Sequence, residues 1–193
     1  MEQNFLQKNL KAIIIIGIIV VAALWVVGKY NGFISKGEAI NNQWAQVENQ
    51  LQRRFDLIPN LVETVKGVAK QEKDVFGAIA DARSKYAGAT TVNDKARAAG
   101  EYESAIARLL VITENYPTLQ SSQAFRDLMT SLEGTENRIS VERMKYNESV
   151  KSYNITRQSF PGNIIASIFN FDIKEYFQVA EEAKVNPKVN FTN

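Results

Sequence analysis

QLQRRFDLIPNLVETVKG, residues Gln50 to Gly67, holds the reading of the fold. Leu51, Ile58, Leu61 and Val65 recur at steps of three and four, the spacing of one face of an α-helix. Arg54 falls on the same face and needs an acid there, because a buried charge without a partner is costly. Pro59 costs a helix interior about 3 kcal/mol, so the stretch either ends a helix or bends one. The phase of the apolar face is kept across Pro59. That predicts a kink, with the freed Phe55 carbonyl satisfied by Asn60 or by water.

Outward from this stretch the apolar face runs from Ile40 to Tyr86, interrupted only by Arg54 and Glu72. A flanking stripe, Phe55, Val62, Ala69 and Phe76, widens it into the face of a bundle helix. The spacing predicts one helix up to the stop YAGATTVND, Tyr86 to Asp94, with Gly88 as its cap and Thr91 or Asn93 opening the next helix. A second helix carries Ala98, Tyr102, Ala105, Leu109 and Ile112 inward and closes at Pro117. A third starts near Thr118 or Ser121 and runs to about Ser159. FPGN, Phe160 to Asn163, breaks the chain, and IIASIFNF with EYF predicts one or two short helices. No useful strand alternation occurs. The class expected is all-α: an N-terminal transmembrane helix, then a long antiparallel bundle of three long helices plus a short C-terminal helix.

The transmembrane reading rests on AIIIIGIIVVAALWVV, residues 12–27, sixteen residues without a charge. At 1.5 Å per residue they cover about 24 Å, and Trp25, Lys29 and Tyr30 extend the span towards the roughly 30 Å hydrocarbon core. No small-residue cleavage site follows, so the segment reads as an uncleaved anchor. The expected domains are a stub at 1–11, an anchor contacting the lipid bilayer at 12–30, a helical bundle at 31–183 and an irregular tail at 184–193. A short stub before an early span favours the soluble part outside the cytoplasm, although Lys8 and Lys11 nearly balance Lys29 and Lys36.

Composition removes most enzymes. The chain has no cysteine and no histidine, which excludes Cys/His zinc sites, His-dependent triads and carboxylate–histidine di-iron centres. Beyond residue 36 it carries 19 basic against 20 acidic residues, a mixed surface without the basic stripe that nucleic acid demands.

Several blocks beyond the span resemble the LemA family. They are YN at Tyr30–Asn31, the opening stretch itself, AR at Ala82–Arg83, ENYPTLQSSQAFRDL from Glu114, ENRISVERMKYNESVKSYN from Glu136 and FPGNIIASIFNF from Phe160. The resemblance implies a membrane-anchored antiparallel bundle of the bacterial envelope, and it carries no catalytic residue or ligand onto this chain.

Four sets of residues are candidates. Arg54, Glu136 and Arg143 form either a polar socket for a ligand or a buried network that fixes helix register. Asn137, Asn147 and Asn154 with Tyr146 and Tyr153, the two YN pairs repeating one helix face, form either packed rings with amides satisfied across helices or a small polar site. Ile164, Ile165, Ile168, Phe169 and Phe171 either cap the bundle end or touch the bilayer or a neighbouring subunit. Glu101 with Glu103, and Glu72 with Asp74, read as solvated surface. No cofactor is expected. The function expected is a non-enzymatic scaffold of the bacterial inner membrane acting through homo-oligomerisation; the alternative is an adaptor docking onto another envelope protein such as a protease or sensor.

Overall fold

The computed structural model describes residues 2–67, 69 and 73–178, so the tail at 184–193 and Glu72 lie outside the described residues. Six helices occur among them: α1 (Glu2–Lys66), α2 (Lys73–Gly88), α3 (Val92–Thr113), α4 (Pro117–Gln120), α5 (Gln123–Gln158) and α6 (Gly162–Ile168). No strand occurs among the described residues. The protein is all-α, with a long apolar N-terminal helix and a helical bundle.

The N-terminal part of α1 is long and apolar enough to cross a membrane, and none of its most apolar stretch is buried by protein. Ile13, Ile16, Val21 and Leu24 all stand exposed. A bare aliphatic helix is unfavourable in water and stable in lipid, which fits a single-pass membrane protein. The helix runs unbroken past Tyr30 to Phe33 and Ile40, which are both buried.

The chain divides into two compact units, one drawing on residues up to Asn42 and on Ser149–Lys174, the other on Gln43–Glu148 and residues from Glu175. In the first, Phe33 is the centre of an aromatic cluster. Its ring stacks on Phe171 at 4.8 Å and meets Tyr153 edge-on at 5.7 Å. Gly162 opens α6 because no other residue fits: a Cβ there would come within 2.1 Å of the Thr156 carbonyl oxygen.

The second unit is a four-helix bundle, and here the structure departs from the expected helix lengths. The helix predicted to continue from Ile40 to Tyr86 ends at Lys66. Gly67 and Ala69 close it by donating to the Glu63 and Val65 carbonyls, and α2 begins at Lys73. α2 then runs back along α1, pairing Tyr86 with Phe55 at 4.4 Å and Phe76 with Lys66. α3 runs parallel to α1, since Lys95 pairs with Glu48 and Tyr102 with Phe55. Thr91 caps α3, its hydroxyl accepting the Asp94 N–H at 3.1 Å. α5 is antiparallel to α1: Gln43 donates to Glu142, and Arg54 to Glu136 further along α1. Leu51, Ile58, Leu61 and Val65 of α1 are buried, as are Ile79 of α2, Leu109 of α3 and Leu132 and Ile139 of α5.

Two further boundaries differ. Pro117 opens the short α4, which delays α5 to Gln123. The segment Phe171–Gln178, with EYF inside it, is not helical, because asparagine side chains take its peptide groups.

Candidate functional site

Arg54 is buried at 8 % exposure, on the inward face of α1. Its Nη1 donates to Glu136 Oε2 at 2.5 Å, the short contact of a charge-assisted bond. Arg143 sits seven residues beyond Glu136 on α5, but its Nη2 lies 3.9 Å from Glu103 of α3. A second carboxylate from another helix thus stands beside Arg143, in addition to the Glu136 charge. The Glu103 side chain remains 40 % exposed. Burial pulls the Arg143 guanidinium down from its usual pKa; Glu103 and Glu136 oppose that shift and Arg54 adds to it. The Phe177 ring covers Arg143 at 4.7 Å.

Beside this cluster Tyr102 is 1 % exposed, and among the described residues its hydroxyl, Arg54 Nε and Arg143 Nε have no hydrogen-bond partner. Burial pushes the Tyr102 phenol up to about 12, against the opposing charges of Arg83 and Arg54. It keeps its proton at neutral pH and cannot act there as a base. Tyr102 forms part of the wall of a hollow of about 360 Å³ beside Ile58, Pro59, Phe76 and Arg83. Helix α1 continues through Pro59. The Asn60 carbonyl accepts from the Thr64 hydroxyl at 2.7 Å, and its amide makes no hydrogen bond among the described residues.

The two YN pairs use their amides in one way. In the first unit Asn154 Nδ2 donates to the Lys174 carbonyl at 2.8 Å, and its Oδ1 accepts the Lys174 N–H at 2.9 Å. In the second, Asn147 does the same with Phe177, at 3.2 and 2.8 Å. Tyr146 donates to the Glu175 carbonyl and meets Trp44 edge-on at 5.5 Å. The amides are satisfied by the non-helical backbone after α6, not by neighbouring helices as expected, because an asparagine amide offers a donor and an acceptor side by side, as a peptide does. Sequence reasoning missed this strap. Its signal was an asparagine recurring at a heptad spacing, each time directly after a core tyrosine.

The five apolar residues beyond Phe160 divide. Ile165 is buried, Phe171 half-buried against Phe33, and Phe169 packs on Tyr30 at 4.9 Å. Ile164 and Ile168 face outward at 49 % and 63 % exposure. Among the described residues no three carboxylates gather to hold a metal ion. Glu101 is paired with Lys85 at 2.6 Å.

A comparison with known families matches residues 43–191 to the LemA family, which takes in the whole four-helix unit with its asparagine-held strap. This chain belongs to the LemA family. Among its relatives, magnetosome proteins MamQ 1 and MamQ 2 of Paramagnetospirillum magneticum are each 31 % identical over 176 residues, covering 78 % of this chain and 65 % of theirs. Magnetosome protein MamQ of Magnetospirillum gryphiswaldense is 28 % identical over 175 residues, covering 77 % and 64 %. The chain thus spans less than two thirds of the length of these LemA-family relatives.

Proposed function

We propose that this LemA-family chain is a non-enzymatic, membrane-anchored scaffold of the bacterial inner membrane, with its bundle on the extracytoplasmic side, and that it acts by self-association. One observation carries the reading: Val141 and Met144 stand exposed, at 43 % and 64 %, one turn apart on the outer face of α5. Their neighbours Arg138, Lys145 and Glu148 mix both signs. The polar interior supports the same reading. Arg54, Glu136, Asn147 and Asn154 are engaged with other parts of the fold, and we assign them to register rather than to chemistry. The magnetosome relatives suggest a role at a membrane. Light scattering of the detergent-solubilised full chain tests the proposal. Homo-oligomers are expected; a strict monomer overturns it, and a monomer co-purifying with one unrelated membrane protein in fixed ratio favours the adaptor role.

A further inference from the structure

We infer that α6 is a second membrane contact, lying in the headgroup–acyl boundary of the bilayer that α1 crosses. Its position follows from the residues it packs on. The apolar span ends at Tyr30, where Trp25 and Lys29, 5.8 Å from the Trp25 ring centroid, form the aromatic and basic belt typical of an interface. The C-terminal end of α6 is at that level, since Phe169 meets Tyr30 at 4.9 Å. Its N-terminal end meets Phe33, 3.7 Å from a Cβ placed on Gly162. Phe33 is three residues beyond Tyr30, about 4.5 Å along the helix. The whole of α6 therefore lies within about one turn of the end of the span.

What α6 shows on its outer side fits lipid. Ile165 and Ala166 are buried, while Ile164 and Ile168 stand on one outward face and Phe160, four residues ahead of Ile164, is 80 % exposed. A short helix that buries one apolar stripe and presents another is poorly suited to water. It matches helices that lie about 5–10 Å into the headgroup–acyl boundary. Charge agrees with position. Residues 28–42 and 149–174 carry five basic residues against two acidic ones, a net of +3 in a chain whose total is +2, and attraction to anionic headgroups adds to the apolar term for an interfacial helix in either leaflet.

The chain has no cysteine, so single Ile164→Cys and Ile168→Cys variants of the full chain accept one nitroxide each without competing sites. Both positions are exposed, which leaves the packing of α6 untouched. Each is reconstituted in phosphatidylethanolamine–phosphatidylglycerol vesicles, with Val21→Cys as the lipid-facing standard. Lipid contact predicts oxygen accessibility several-fold above that of a water-soluble nickel chelate at both positions, approaching the ratio at position 21. Free collision with the nickel chelate overturns the inference. So does spin–spin broadening relieved by dilution with unlabelled protein, which would mean that a second copy covers the helix.

Discussion

Asn154 holds both backbone polar groups of Lys174, donating to its carbonyl at 2.8 Å and accepting its N–H at 2.9 Å. At 4 % exposure this asparagine replaces what a neighbouring β-strand would offer. It explains how a non-helical segment is held in a protein without strands among its described residues. Asn154→Ala leaves both Lys174 groups unmet. A loss of about 1–3 kcal/mol in urea unfolding is expected, with faster hydrogen exchange across residues 172–177.

The Arg54–Glu136 pair predicts an asymmetric double-mutant cycle. The Arg54 side chain is 10 % exposed and that of Glu136 38 %, so removing the acid strands a buried cation, whereas removing the base leaves a carboxylate that water reaches. Glu136→Leu should cost about 3 kcal/mol and Arg54→Leu clearly less. The double variant should recover most of the larger loss. Equal single losses, or a double variant no better than the worse single, would show that the pair does not govern stability.

Much of this fold is legible in the sequence, for physical reasons that also explain the misses. The span is legible because sixteen uncharged residues have no polar face to show water. The inward position of Arg54 is legible because it lies on the seam. The reversal after Lys66 is not, because helical periodicity reports which face is apolar and not whether the backbone turns back. Helices α1 and α2 both turn apolar residues to one core, so the pattern reads on from one to the other. The local signals were Gly67 and the charged run Lys70–Asp74. The Asn147 and Asn154 partners were hidden because they depend on where the chain after α6 comes to lie, and Phe171–Phe177 is apolar enough to read as helix.

Gly162 sets a steric limit. A Cβ at this position would stand 2.1 Å from the backbone oxygen of Thr156, and a backbone atom cannot rotate away as a side chain does. Gly162→Ala should cost about 3 kcal/mol. Limited proteolysis should show new cleavage within residues 159–175, with α6 released from Phe33.

Tyr102 predicts a loss of stability at high pH. Its phenol is pushed up to about 12 by burial, as is that of Tyr86, while the unfolded chain releases this proton near the ordinary value of about 10. The folded state therefore binds more protons in this window. The contribution is fully present below about 10 and is lost as pH rises towards about 12. Tyr102→Phe should flatten that slope. It should also hold or raise the melting temperature at pH 7, because it removes a buried hydroxyl without a partner.

Self-association through α5 is tested most directly by Met144→Cys in native membranes. The parent chain has no cysteine, so any disulfide-linked dimer after mild oxidation reports Met144 meeting Met144 of a second copy. A strong dimer band is expected, lost when Val141→Glu is added, with the variant still membrane-bound and helical. A chain that stays monomeric after oxidation, or a dimer band indifferent to Val141→Glu, would contradict the scaffold reading.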